Sequence, residues 1–208
     1  MMDLPTLLAV AAFATVTSIT PGPNNMMLLA SGVNHGFKAS TPHMLGISIG
    51  FMVLLAATGL GLGALLLQWP RVGLAMKAVG IAYLVWLAWR LWRAEAPRAG
   101  VDADAAAVAV AAGPRMGFWA AAGFQWVNPK AWMMAIGAVA GFLAPGEGAL
   151  AACLLALVCA LVNFPCIAVW TYAGARLSRQ LAEPAKRRAF NTTMAVLLLA
   201  SIWPMLKA

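Results

Sequence analysis

The sequence predicts an all-α integral membrane fold: six transmembrane helices forming two inverted three-helix repeats, with helices 1 and 4 each broken by proline. Three observations predict it. Of 208 residues, 63% are hydrophobic and only 10% charged, and the mean hydropathy is +0.84, which is the composition of a chain dissolved in lipid. Six apolar stretches, 4–33, 41–67, 72–92, 116–143, 149–175 and 190–206, match the roughly 20 residues that about 30 Å of hydrocarbon requires. Two of these, the first and the fourth, carry proline beside asparagine in their interiors.

The first stretch lacks a basic leader region and runs on past Pro21-Gly22-Pro23, so it reads as a retained helix and not as a secretory signal. Proline has no amide hydrogen and disfavours helix at the residue before it. The run Thr20-Pro21-Gly22-Pro23-Asn24-Asn25 therefore breaks the span. Backbone groups freed in hydrocarbon are tolerated only where protein or a wet cavity satisfies them. In the second stretch Gly46 and Gly50 stand four apart on one face, a spacing that lets helices approach closely, and Gly59, Gly61 and Gly63 follow. The third ends in Trp86, Trp89 and Trp92, which fit an interfacial aromatic belt.

A hydrophilic connection at about 94–115 reads as a cytoplasmic linker between repeat 1, about 4–93, and repeat 2, about 116–206, within one transmembrane domain spanning 1–208. Each half holds an odd number of spans, so the halves are inverted relative to one another. The fourth stretch repeats the break as Asn128-Pro129-Lys130, followed by Gly137 and Gly141 four apart. The fifth contains Cys153, Cys159 and Cys166 without C-x-x-C spacing, which excludes a zinc or disulfide framework and leaves small apolar fillers. No cofactor motif is present.

The net charge of +8 is topological. Lys38, Arg90, Arg93, Arg98, Arg115, Arg176, Arg179, Lys186, Arg187 and Arg188 flank the first, third and fifth connections, against Arg71, Lys77 and Lys207 opposite. This bias puts those connections in the cytoplasm and both termini outside. It also argues for contact with membrane lipid and against a nucleic-acid partner.

Broken helices at corresponding places in two halves point to a transporter site. A helix restarting at Asn24 or Asn25 aims free amides and a positive dipole end at the gap, which suits a carboxylate. The carbonyls ending near Thr20, with the Ser18 and Thr20 hydroxyls nearby, suit an ammonium group. Pro21, Gly22 and Pro23 are expected to shape this break, with Asn24 and Asn25 capping the restarted helix; Asn128, Pro129 and Lys130 form the opposing wall. Lys130 stands too deep to reach head groups, and a buried charge costs about 2.5 to 3.5 kcal/mol on insertion scales, so it is expected to face a polar cavity, as a carboxylate anchor or as a group that gains and loses a proton. Asp3, Glu95, Asp102, Asp104, Glu147 and Glu183 all lie at span ends or in loops. With no carboxylate in mid-membrane, a net-neutral substrate is favoured. Proton coupling falls to Lys130, or to His35 and His43, which read as interface residues.

The runs Thr20-Pro21-Gly22-Pro23-Asn24-Asn25, His35-Gly36-Phe37, Gly46-Ile47-Ser48-Ile49-Gly50-Phe51, Gly80-Ile81-Ala82-Tyr83-Leu84 and Phe124-Gln125-Trp126-Val127-Asn128-Pro129-Lys130 together resemble the LysE/RhtB family of bacterial amino-acid exporters. The resemblance covers nearly the whole chain and is strongest to the cysteine/O-acetylserine exporter branch. Family members that export lysine or arginine carry an acid near the position of Phe51, and this chain has none there. The resemblance implies a multi-pass protein of the bacterial inner membrane that exports small zwitterionic amino acids, cysteine/O-acetylserine or threonine/homoserine, with protons as the coupled partner. The alternative is a channel or structural subunit without coupled transport. An enzyme is not expected, because no nucleophile and base or metal cluster lies within the spans. Exposed glycine faces permit a homodimer.

Overall fold

Prolines at helix starts set much of the architecture, since a residue without an amide hydrogen is least costly in the first turn. The computed structural model describes residues 3–63, 68–94, 116–144, 146–203 and 206. Its helices are α1 (Leu4–Ile19), α2 (Pro23–Ala39), α3 (Thr41–Ala57), α4 (Pro70–Trp92), α5 (Phe118–Gln125), α6 (Pro129–Phe142), α7 (Ala149–Leu177) and α8 (Pro184–Ala200). All but α5 and α7 have a proline in their first two positions. No strand occurs among the described residues. The 94–115 linker lies outside them except for Ala94, so its expected character is not addressed by the fold.

Among the described residues three helical stretches are long and apolar enough to cross a membrane: Thr41–Leu62, Arg71–Trp92 and Ala149–Leu177. A fourth is the pair α1 and α2, bent by 61° at the first proline break. The α3 helix runs on into a π-helical turn, Thr58–Leu62, in which Gly61 takes φ 106°, a conformation open to glycine and costly for other residues. Inside α2, Gly36 does the same with φ 78°.

Packing is carried by small residues, as expected where lipid removes the hydrophobic drive between helices and close approach supplies the attraction. Helices α2 and α7 cross backbone to backbone. A Cβ on Gly32 would collide with the Thr171 carbonyl oxygen, and one on Gly174 with the Leu29 carbonyl oxygen. Gly46 and Gly50 lie against the backbone of α5 at Phe118 and Ala122, in agreement with their spacing. The second glycine pair behaves otherwise. A Cβ on Gly137 would meet only the Phe13 ring at 3.4 Å, and Gly141 has no neighbour within 4 Å. Spacing of four puts glycines on one face without deciding what that face meets.

The deepest apolar cluster joins α1, α3, α6 and α7 through Val10, Phe51, Leu54, Ala135 and Leu155. A second joins α2, α4, α5 and α8 around Leu84, Phe124 and Leu198. On the outer face of α4, Trp86, Trp89 and Trp92 are exposed. The Arg90 and Arg93 guanidinium groups stand 4.7 and 4.8 Å from the Trp86 and Trp89 rings, forming an outward stripe of aromatic and cationic groups.

Candidate functional site

The first break leaves helical carbonyls without their usual partners, and side chains take up four carbonyls around it, those of Ser18, Ile19, Thr20 and Pro21. Pro21 and Pro23 have no amide hydrogen, and those are the positions that would have served Thr17 and Ile19. The Ile19 carbonyl accepts instead from the Trp170 indole at 3.1 Å. The Asn25 side-chain amide donates to the Ser18 carbonyl at 2.8 Å and to the Thr20 carbonyl at 2.9 Å. The ammonium of Lys130 donates to the Thr20 carbonyl and reaches the Pro21 carbonyl at 3.5 Å.

This changes the part assigned to the asparagines. Gly22, extended at φ −177°, is the N-cap of α2 and makes no side-chain cap bond, while Pro23 opens the helix. Asn24 and Asn25 therefore do not cap it. They occupy its first turn, where their side chains point back to the break. Proline's preference for the first helical position accounts for the shift.

The second break is a tight turn. The amides of Trp126, Val127 and Asn128 each bond to the carbonyl three residues back. The Asn128 side chain then caps α6, accepting from the Lys130 amide at 3.1 Å. The turn is held from outside by Gly80 of α4, where a Cβ would strike the Val127 carbonyl oxygen. The Trp132 indole donates to the Trp126 carbonyl at 2.8 Å.

The two breaks meet. Asn24 donates to the Gln125 side-chain oxygen at 2.9 Å, and Gln125 donates back at 3.3 Å. Gly22 gives the Lys130 side chain its room, since a Cβ there would lie 2.7 Å from Lys130 Cδ. Between them is a cavity of about 340 Å³, counting the space open at its mouth. Of the residues expected at a site, Gly22, Asn24, Asn25, Asn128 and Lys130 line it; Pro21, Pro23 and Pro129 shape the backbone around it without lining it.

Ser18, whose hydroxyl was expected beside the break, lines the cavity, and three further polar residues of the lining were not expected: Thr17, Gln125 and Asn163. Asn163 organises the floor. Its oxygen accepts from the Ser48 hydroxyl and its amide donates to the Ser18 hydroxyl, both at 3.0 Å, so one side chain of α7 joins α3 to α1. Ile47, Phe51, Met134 and Ile167 supply apolar wall. Among the described residues no acidic side chain lines the cavity. Among the described acids, Asp3 caps α1, Glu147 accepts from the Ala144 amide in a loop, and Glu183 pairs with Lys186 at 2.9 Å.

His43 departs from expectation. Instead of an interface position it is 1% exposed, with neither ring nitrogen hydrogen-bonded. No group of three or more potential metal ligands occurs among the described residues.

Apolar helices of spanning length, one broken pair and a polar cavity at the break define a multi-pass membrane transporter. The family model described as LysE type translocator matches residues 15–200, and the chain belongs to that family. It is similar to the cysteine/O-acetylserine efflux protein of Escherichia coli O139:H28 (strain E24377A / ETEC), 33% identical over 202 residues, 94% of this chain and 95% of that one. The protein of the same name from Escherichia coli (strain K12) is 33% identical over 201 residues, covering 93% and 94%. That of Shigella flexneri serotype 5b (strain 8401) is 32% identical over 192 residues, covering 89% and 90%. No solved structure matches this chain significantly. The family and these relatives are transporters, so this chain is a transporter and not an enzyme.

Proposed function

We propose that this transporter exports small, net-neutral zwitterionic amino acids or their derivatives from the cytoplasm, with cysteine/O-acetylserine as the first candidates and threonine/homoserine the second. One observation carries the reading: two broken helices converge on one cavity lined by polar side chains from both breaks, with no carboxylate among the described residues that line it. The relatives named as cysteine/O-acetylserine efflux proteins support the same substrate class.

The recognition chemistry follows from the helix ends. By helix geometry the Asn24 and Asn25 amides have no intrahelical acceptor, so the positive end of α2 receives the substrate carboxylate. The Thr20 and Pro21 carbonyls suit its ammonium group, and Asn128, Pro129 and Lys130 form the facing wall. A fully cationic side chain finds no counter-charge here, which disfavours lysine and arginine. Coupling to protons falls to Lys130, His35 or His43.

The architecture we propose is six spans in two inverted repeats, about 4–93 and 116–206, joined by a cytoplasmic linker, in the bacterial inner membrane with both termini outside. Helix pairing supports it. If α1 to α4 correspond to α5 to α8 in order, α3 packs on its counterpart α7 and α4 on its counterpart α8. The pairing of α1 with α7 is matched by that of α5 with α3, and α2 with α7 by α6 with α3. This reciprocity is what a two-fold axis in the membrane plane requires, and alternating access is then a rocking of one half on the other.

The test is efflux from proteoliposomes loaded with labelled L-cysteine, O-acetylserine, threonine, homoserine or lysine, with and without a proton gradient. Saturable, stereoselective release of the neutral amino acids, accelerated by the gradient, is expected. Non-saturating conductance would make the protein a channel, and no flux with any of them would make it a structural subunit.

A further inference from the structure

We infer that Lys130 is a tethered ammonium occupying the amine subsite of the empty transporter, and that substrate binds by displacing it. The inference rests on the proposed function above and specifies how its site is kept filled.

The Lys130 ammonium donates to the carbonyls of Thr20 and Pro21 at the end of α1. A helix C-terminus carries partial negative charge, so these acceptors attract a cation without any carboxylate. Among the described residues the one salt bridge, Lys186 with Glu183, lies elsewhere. The chemistry that holds Lys130 is therefore generic to R–NH3+ groups, the α-ammonium of an amino acid included. Nothing in it is particular to lysine.

The seat is built for the side chain. Gly22 leaves the groove through which the Lys130 stem passes, and a Cβ there would come within 2.7 Å of Cδ and 3.2 Å of Nζ. Asn25 holds the Thr20 carbonyl in place from the other side at 2.9 Å. With Lys130 seated, the interior of the cavity has room for little more than a water molecule. An amino acid whose ammonium takes the Thr20 and Pro21 carbonyls has to replace that of Lys130 there, so its binding and the departure of the Lys130 ammonium are one event. A resident internal cation also keeps the carbonyls of the break satisfied in lipid while the site is empty.

The experiment measures binding, so that it does not depend on turnover. Purified wild-type, Lys130→Ala and Lys130→Met proteins are titrated with ethanolamine, an amine without a carboxylate, and with 3-hydroxypropionate, a carboxylate without an amine. Binding is read by ligand-induced thermal stabilisation. If Lys130 fills its seat roughly nine-tenths of the time, freeing the seat tightens amine binding about tenfold. Ethanolamine should therefore bind about tenfold tighter to both variants than to wild type, with 3-hydroxypropionate unchanged. Unchanged or weaker ethanolamine binding in both variants would overturn the inference, as would a selective loss of 3-hydroxypropionate binding, which marks Lys130 as a carboxylate anchor. Absence of O-acetylserine efflux from wild type would count against the proposed function instead.

Discussion

The side chains of Asn24 and Gln125 exchange two hydrogen bonds, 2.9 and 3.3 Å long, across 101 residues of sequence. They tie the restart of one broken helix to the end of another and fix the spacing of the cavity walls between them. Interhelical side-chain bonds in membranes are worth about 0.6 kcal/mol on average and at most about 1.7.

A double-mutant cycle reads that tie directly. Asn24→Ala and Gln125→Ala should each lower the thermal midpoint in detergent, and the double variant should be little worse than either one. The expected coupling is on the order of 1 kcal/mol, and strictly additive losses would mean the two amides act independently.

Glycine contacts separate two residues that look alike in sequence. Gly32→Ala drives a methyl group into the Thr171 carbonyl and has to pry α2 from α7, at a cost of about 1 to 3 kcal/mol. Gly141→Ala meets open space and should stay within about 0.5 kcal/mol of wild type. Thermal unfolding of the two purified variants checks the contrast.

Selectivity for neutral substrates is argued from missing charge, so supplying the charge should change it. Asn163→Asp keeps the size of the side chain and the acceptor for the Ser48 hydroxyl, and replaces the amide that donates to the Ser18 hydroxyl with a second acceptor to which that hydroxyl can turn. A carboxylate then faces the cavity. Efflux of labelled lysine relative to O-acetylserine should rise by about tenfold, corresponding to roughly 1.4 kcal/mol of added attraction. An unchanged ratio would place the cation's side chain elsewhere.

Outside the spans, hydrogen bonds from the Thr6 side chain and amide hold the Asp3 carboxyl below its usual value of 3.8. A carboxylate whose folded pKa is depressed stabilises the folded state above its unfolded pKa, and that contribution is lost as pH falls through the folded value. The first turn of α1 should accordingly fray below about pH 4. Hydrogen exchange at the Thr6 amide should accelerate there relative to the amides of the α1 centre, and Asp3→Ala should show fast exchange at all pH values.

Much of this arrangement was legible in the chain because proline and buried charge leave strong marks. Pro21, Pro23 and Pro129 announced the breaks, and Lys130 announced a polar surface at depth. The starts of the stretches at Thr41, Arg71 and Ala149 fall within one residue of the apolar runs. The N-cap was legible too, since proline's preference for the first helical position points to Gly22 and away from the asparagines. Asn163 left a fainter signal. It is the single amide in a helix whose 18-residue apolar stretch has a mean hydropathy of 2.5, and an isolated amide in such a helix needs an internal partner. Gln125 and Thr17 carried no mark, because a lone polar residue beside a break looks the same whether it lines a cavity or bonds its own backbone. The burial of His43 was hidden for a related reason: charge counting locates a span end without saying whether a side chain there turns inward.

The central claim is that both breaks enclose one substrate chamber. Its most direct test is substrate protection in a background with Cys153, Cys159 and Cys166 replaced by alanine. Thr17→Cys lies beside the first break, Ala131→Cys beside the second, and Trp119→Cys on the 84% exposed outer surface. The account predicts that saturating O-acetylserine slows modification by a small thiol reagent at both Thr17→Cys and Ala131→Cys, and leaves Trp119→Cys unaffected. Protection at only one break, or at neither, in a variant that still exports O-acetylserine would contradict it.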